Sequence, residues 1–229
     1  MISILIPIYN TPINYIQEAF DSIDNQTFQN FEVIVVNDGS NKETEEYLNS
    51  INNPKYKIHH KNKAGISEAL NFGLKLCSHN IVCRMDGDDI MMKDRLETQY
   101  NYFITNNVDV LGSQMELFGS QVGKTNHPLN IPKDIMRTSD WFMNHPTIMF
   151  NRDKILKIGG YNSKFDGLED LELWCKCLQN GYVLKNLPNI LVRHRRHSSN
   201  ATVKNDINII MQKINFVRSH YYYNISSSK

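Results

Sequence analysis

The sequence is short of several things, and each shortage removes a class of protein. It has four cysteines, Cys77, Cys83, Cys175 and Cys177, spaced C-x5-C and C-x-C. Neither spacing matches a zinc pattern, and 229 residues are too many for a disulfide-stapled scaffold. Free, buried thiols in a reducing compartment are expected. Neither charge is in excess: Lys+Arg 25 against Asp+Glu 24 leaves a net charge of +1. Binding nucleic acid through phosphate neutralisation needs a basic excess, so that partner is excluded. Long apolar runs are missing too. Ile4-Leu5-Ile6 and Val33-Ile34-Val35-Val36 are strand-sized, far below the roughly 20 residues of a membrane span. No charged and apolar leader opens the chain, so a soluble protein that stays in the cytoplasm is expected. Finally, no G-x-G-x-x-G follows the first apolar run and no G-x4-G-K-[ST] occurs anywhere. A Rossmann dehydrogenase and a P-loop enzyme are both excluded on that ground.

What is present is enough for one domain with a sizeable core: 41% of the residues are hydrophobic and 21% charged. Short β-branched runs alternate with helical spacings through the first half. Ser3 to Ile8, Phe31 to Val36, Tyr56 to His59 and Ile81 to Cys83 read as strands. Residues 13–25, 43–48, 66–76 and 94–104 read as helices between and after them. Strand alternating with helix predicts an α/β unit with a mostly parallel sheet over residues 1–110. The second half is less regular. Strands are expected near Val108 to Phe118, His145 to Phe150 and Leu191 to Arg193, with a helix over Leu168 to Gln179. Residues 203–221 form an amphipathic pattern, open between packing on the core, a homodimer contact and a membrane surface.

Parallel α/β sheets bind ligands beyond the carboxyl ends of their strands. Here those ends carry Tyr9-Asn10, Asn37-Asp38-Gly39-Ser40 and Asp86-Gly87-Asp88-Asp89. The last has three carboxylates in four residues, which repel one another unless a cation neutralises them. Hard oxygen ligands suit Mg²⁺ or Mn²⁺, commonly bound by one or two carboxylates together with substrate phosphates. A solvated turn that caps the next helix through Asp89 or Asp94 is the plainer alternative. An EF-hand is excluded, because its D-x-D-x-D-G pattern and distal Glu are absent.

These strand ends join Ile6-Pro7-Ile8-Tyr9-Asn10, Gln26-Thr27, Ala64-Gly65-Ile66-Ser67, Asn71 and Asp94-Arg95-Leu96. His145-Pro146-Thr147, Gly159-Gly160-Tyr161, Leu168-Glu169-Asp170, Leu173-Trp174 and Arg195-Arg196-His197 follow in order. The ordered set, over roughly residues 2 to 200, resembles the family 2 glycosyltransferases of GT-A fold. That resemblance implies a Rossmann-like nucleotide-binding half fused to a smaller acceptor-binding half in one α/β/α sandwich. The boundaries expected are 1–110 for the nucleotide-sugar half, 111–200 for the acceptor and catalytic-base half, and 201–225 for the C-terminal helix.

The resemblance also implies roles. Pro7, Tyr9, Asn10 and Asp38 match positions around the nucleotide base, with Asp38 accepting from uracil-like N–H groups. Asn37 stands where the family more often has a first Asp. Lys61, Asn62 and Gly65 flank the nucleotide, and Arg84, Asp86 and Gly87 lie near the ribose and donor sugar. Asp88 and Asp86, with the late His197, match the Mn²⁺ or Mg²⁺ site. Asp170, or its neighbour Glu169, is the general base that takes the acceptor's proton, a step an alcohol needs at neutral pH. The plainer reading of this pair is a helix cap. His145 is open between a donor-side contact and a buried histidine, and Trp174 between an acceptor platform and the core. Arg193, Arg195 and Arg196 are candidate diphosphate clamps.

The expected activity is metal-dependent, inverting transfer of one sugar from a UDP-sugar to a glycan, lipid-linked or protein acceptor. The Gln-x-x-Arg-Trp motif and membrane helices usual in polymer-building members are absent. An inactive nucleotide-sugar-binding protein of the same fold is the alternative; the acids at Asp86, Asp88 and Asp170 weigh against it.

Overall fold

The computed structural model describes residues 1–135, 139, 141–197 and 207–226. Four parallel strands open the fold: β1 (Ile2–Ile8), β2 (Phe31–Asp38), β3 (Tyr56–Lys61) and β4 (Ile81–Arg84), in the order β3-β2-β1-β4. Helices α1 (Ile13–Asp24), α2 (Lys42–Asn49) and α3 (Ile66–Leu76) supply the crossovers, as the alternating pattern predicts. After β5 (Ile90–Met91) and α4 (Arg95–Thr105) come β6 (Val110–Gly119), β7 (Gly123–Lys124), β8 (Met149–Asn151), α5 (Arg152–Lys157), α6 (Glu169–Gln179), β9 (Leu184–Arg196) and α7 (Ile207–Ser226). The sheet continues from β4 as β8-β6-β9-β5, with β7 on β6; β4-β8, β8-β6 and β9-β5 are antiparallel and β6-β9 parallel. The mixed second half is thus hydrogen-bonded to the parallel first half through β4 and β8.

Successive residues of a strand point to opposite faces, and this sheet is buried on both. Ile2, Ile4, Ile6, Ile8, Val33 and Val35 pack on one side with α1 and α4. Leu5, Ile34 and Val36 pack on the other with α3, α6 and α7. Strands buried on both faces read as continuous apolar runs, which is why β1 and β2 are so plain in the sequence. The four thiols are buried and none is in a disulfide, as expected.

Two expectations about strands need correction. The strand anticipated over His145 to Phe150 is split: His145–Thr147 form a 3-10 turn and pairing begins at Met149. Pro146 lacks the N–H that a ladder bond requires. The strand anticipated over Leu191 to Arg193 is part of β9, 13 residues long. The last helix spans Ile207–Ser226, while residues 203–206 of its expected range lie outside the described ones. It packs on α6 through Ile214, Val217 and Tyr221, the first of its three open alternatives. No helix among the described residues is long and apolar enough to cross a membrane.

Candidate active site

The parallel register sets Ile8 beside Asn37 and Asp38 beside Lys61, so three strand ends share one edge. Asp38 is buried and fully engaged there. Its Oδ1 accepts from Lys61 Nζ at 2.7 Å and from the Ala64 N–H at 3.0 Å, and its Oδ2 accepts from the Gly65 N–H at 2.9 Å. Lys61 Nζ also donates to the carbonyl of Asn62. One carboxylate thereby shapes the whole 61–65 loop. Gly65 starts α3 at φ 98°, where a Cβ would sit 2.3 Å from Asp166 Oδ2; only glycine suits that place. Asn10, at φ 49°, accepts from the Asn41 N–H through Oδ1 and donates its own N–H to Ser40 Oγ, tying the β1 and β2 ends together. Tyr9 stays half exposed with Lys63 Nζ 4.0 Å from its ring centre. Pro7 lies one register step earlier, opposite Val36.

The acidic loop follows β4. Arg84 is buried and holds Asp86 through both oxygens, NH1 to Oδ2 at 2.8 Å and NH2 to Oδ1 at 2.5 Å. Gly87 passes close to β1, where a Cβ would meet Ile8 Cδ1 at 2.1 Å. Two Asp–His pairs then form with the end of β9. Asp88 Oδ2 lies 2.9 Å from His197 Nε2, and both Asp89 oxygens lie 3.0 Å from His194 Nδ1. Arg195 clasps the loop from outside: its N–H donates to Asp89 Oδ1, its Nε to the Asp88 carbonyl, and its NH2 to Glu18. Its guanidinium stands 4.1 Å from the Tyr15 ring centre and 4.5 Å from that of Phe118. Burial raises the pKa of Asp88, and the Asp86 charge adds to it. Burial likewise takes Asp89 up to about 6 against the pull of His194.

Asp86, Asp89 and His194 each offer a ligand atom within 4.8 Å of the others. Asp89, however, is wholly buried and already saturated by His194 and Arg195. Asp86, Asp88 and His197 keep side-chain exposures of 25%, 19% and 17%. Carboxylate oxygens and an imidazole are donor types that suit Mn²⁺ or Mg²⁺. The ligand atoms that converge among the described residues, however, are those of Asp86, Asp89 and His194, with Asp88 and His197 paired beside them.

A second acidic pair opens α6. Glu169 Oε2 accepts from the Gly167 N–H at 2.6 Å, and Asp170 Oδ1 from the Leu171 N–H at 2.7 Å. Both acids lie in the first turn of α6, the favourable end of its dipole, but only Asp170 accepts from an N–H of the helix itself. Burial, and then the neighbouring Asp170, raise Glu169 to about 7; burial raises Asp170 as well. Arg84 opposes both shifts from the β4 end, so one buried cation faces both acidic clusters. His145 Nδ1 lies 3.9 Å from Glu169 Oε1. Trp174 is buried edge-on to His145, which puts it in the core rather than on an acceptor face.

The family model described as glycosyl transferase family 2 matches residues 3–161, more than half of the chain. The chain belongs to glycosyl transferase family 2. The Escherichia coli O-antigen biosynthesis glycosyltransferase WbnJ is 32% identical over 214 residues, which cover 88% of this chain and 82% of that one. An E. coli UDP-Gal:alpha-D-GlcNAc-diphosphoundecaprenol beta-1,3-galactosyltransferase is 32% identical over 235 residues, 96% of this chain and 84% of that one. Among solved structures, S. aureus TarS 1-349 in complex with UDP-GlcNAc superposes with a TM-score of 0.75 at 20% identity. That match covers 94% of this chain and 66% of the TarS fragment, a little under two thirds of its length. The fold is therefore that of the GT-A glycosyltransferases.

In this family 2 glycosyltransferase, the structure gathers Tyr9, Asn10, Asp38, Lys61, Asn62 and Gly65 at one loop cluster. On the acidic loop after β4 it joins Arg84 to Asp86 and, separately, Asp88 to His197. Arg195, weighed as a diphosphate clamp, is occupied with the acidic loop and Glu18, while Arg193 pairs with Glu116 and Arg196 with Gln121. Sequence reasoning missed the Asp89–His194 pair and Asp166. The signal for the first was the third acid of the loop together with His194, but nothing local joins them. Asp166 has no sequence signal; its carboxylate lies against Gly65, and its Oδ1 accepts from the Ser67 N–H at 3.3 Å.

Proposed function

We propose that this glycosyltransferase moves one sugar from a nucleotide-diphosphate sugar, first of all a UDP-sugar, to an acceptor hydroxyl with inversion at the anomeric carbon. The observation that carries the reading is the pair of acidic clusters, Asp86-Asp88 with His197 and Glu169-Asp170, held on either side of the buried Arg84. Asp38, Lys61, Asn62 and Gly65 with Pro7, Tyr9 and Asn10 form the nucleotide pocket, and Arg84, Asp86 and Gly87 receive the ribose and donor sugar. Asp88, Asp86 and His197 would hold Mn²⁺ or Mg²⁺; such an ion, when bound, offsets charge on the departing diphosphate.

Asp170 receives the acceptor's proton as the hydroxyl oxygen bonds to the anomeric carbon and the carbon–diphosphate bond breaks on the opposite face. Asp170 is chosen over Glu169 because Glu169 is turned back onto the Gly167 N–H and faces His145. A raised pKa suits a carboxylate to this work near neutral pH. The acceptor class put first is a sugar on a lipid diphosphate, supported by the printed specificity of one relative. Four buried thiols outside any disulfide suit a reducing compartment such as the cytoplasm.

Calorimetric titration with UDP, GDP, CDP and dTDP, each with Mn²⁺ and with EDTA, tests the donor site. Metal-dependent binding of UDP is expected, abolished in Asp88→Ala and preserved in Asp170→Asn, which does not transfer. Failure of folded protein to bind any of the four withdraws the reading.

A further inference from the structure

Tyr161, His145 and Glu169 follow one another in contact, Glu169 being the sequence neighbour of the proposed base, and Tyr161 is anchored to the nucleotide-binding half. Asn71 of α3 accepts from the Tyr161 N–H through Oδ1 at 2.8 Å and donates to the Tyr161 carbonyl at 2.8 Å. Gly160, at φ 64°, leaves room for this clasp, since a Cβ there would lie 2.3 Å from Asn71 Oδ1. The phenol, 3% exposed, lies 2.9 Å from His145 Nε2. The other imidazole nitrogen faces Glu169 Oε1 at 3.9 Å. Trp174 closes the pocket, its ring centre 6.0 Å from that of His145 at 79°.

Burial keeps the Tyr161 phenol protonated far above its ordinary range. Burial, with the positive charge of Arg84, holds His145 neutral, well below 6.5. A neutral imidazole has one N–H and one lone pair. A buried phenol O–H left unbonded is costly, and Nε2 is the acceptor beside it. The lone pair thus belongs on Nε2 and the hydrogen on Nδ1. The reverse tautomer would aim a lone pair at a carboxylate and deprive the phenol of its acceptor.

We propose that Tyr161 and His145 are positioning residues: the phenol fixes the imidazole tautomer whose Nδ1–H steers the Glu169 carboxylate beside the base Asp170. The Gly167 N–H holds the other Glu169 oxygen. Asp170 on its own helix, Arg84 from β4 and Tyr161 are the remaining charged or titratable groups facing Glu169. From 3.9 Å the Nδ1–H acts on Glu169 Oε1 as an aimed dipole and favours the charged carboxylate. A charged Glu169 makes Asp170 a stronger proton acceptor.

This inference rests on Asp170 as the base, and two readouts separate the failures. Two-bond ¹⁵N–¹H correlation spectra of the whole protein report the His145 tautomer without any substrate. The Nδ1–H form is expected in the wild type, with loss of that fixed form in Tyr161→Phe; an Nε2–H form in the wild type overturns the proposal. Kinetics of transfer supply the second readout, with melting curves and UDP affinity as controls. His145→Leu lowers kcat by about 10-fold with donor affinity held within about 2-fold. His145→Asn, whose amide nitrogen stands near the place of Nδ1, restores most of that loss, and Tyr161→Phe falls between. Equal impairment of the Leu and Asn variants, or a loss confined to donor affinity, overturns the proposal. Normal turnover by Asp170→Asn would instead remove the base assignment while leaving the tautomer result standing.

Discussion

Arg84 grips Asp86 through both carboxylate oxygens, at 2.8 Å and 2.5 Å, from a buried position at the end of β4. Burial alone would disfavour its charge; the carboxylates around it, Asp86 first and then Glu169 and Asp89, outweigh that and hold the guanidinium charged. Arg84 is buried while Asp86 is partly exposed, so removing the guanidinium leaves a carboxylate that water screens in part and costs on the order of 1–3 kcal/mol. Arg84→Met is therefore expected to melt well below the wild type and to lose metal-dependent UDP binding. Arg84→Lys keeps the charge without the two-pronged geometry and falls between. Thermal melting with parallel calorimetry measures both, and wild-type behaviour of Arg84→Met would refute the pairing's importance.

The two acids at the start of α6 set the pH dependence of transfer. Burial, and then Asp170, lift Glu169 to about 7, and burial lifts Asp170 above its ordinary 3.8. The base form is lost as pH falls through these raised values. The acidic limb of kcat/KM is expected above the usual carboxylate range. A rate profile between pH 3.5 and 9 that showed its acidic limb at or below the ordinary 3.8 would contradict a buried carboxylate base.

Legibility in the sequence followed the range of the forces involved. β1 and β2 were plain because strands covered on both faces are unbroken apolar runs, and the strand ends were plain because polar residues end them abruptly. Asp86-Asp88 and Glu169-Asp170 were visible as local clusters of like charge. The Asp89–His194 pair was not, because its partners lie 105 residues apart and meet only when β5 pairs with β9, Ile90 beside Arg193. Asp166 against Gly65 is hidden for the same reason. The break at Pro146 shows a local rule defeating a strand reading: an apolar stretch without its N–H turns before it pairs.

Gly160 and Asn71 are coupled across 89 positions of sequence number, and the coupling is measurable. Gly160 sits at φ 64°, and a Cβ would press to 2.3 Å from Asn71 Oδ1. Gly160→Ala is expected to lose about 2 kcal/mol from backbone strain and the clash together. Asn71→Ala removes the clashing oxygen along with two hydrogen bonds to Tyr161. The double variant should then be more stable than the sum of the single losses by about 1 kcal/mol. Denaturant unfolding of the four proteins gives the cycle, and strict additivity would show that the two residues do not press on each other.

Glu32 predicts the behaviour of the fold in acid. It lies on β2, where its oxygens accept from Ser3 Oγ, Lys57 Nζ, the Ser78 N–H and Ser78 Oγ. Burial works to raise its pKa, but Lys57, Ser3 and Ser78 overcome it and take the group from 4.5 down to about 2. A folded-state pKa below the unfolded one stabilises the fold above the unfolded value. That stability is lost as pH falls through the folded value. The contribution is on the order of 2–3 kcal/mol at neutral pH. It should decline between about 4.5 and about 2. Glu32→Gln is expected to be less stable than the wild type at pH 7, with the gap closing steadily across that acid range. Urea unfolding at pH 7, 4 and 3 measures the gap, and a difference that stayed constant with pH would assign the loss to shape rather than to charge.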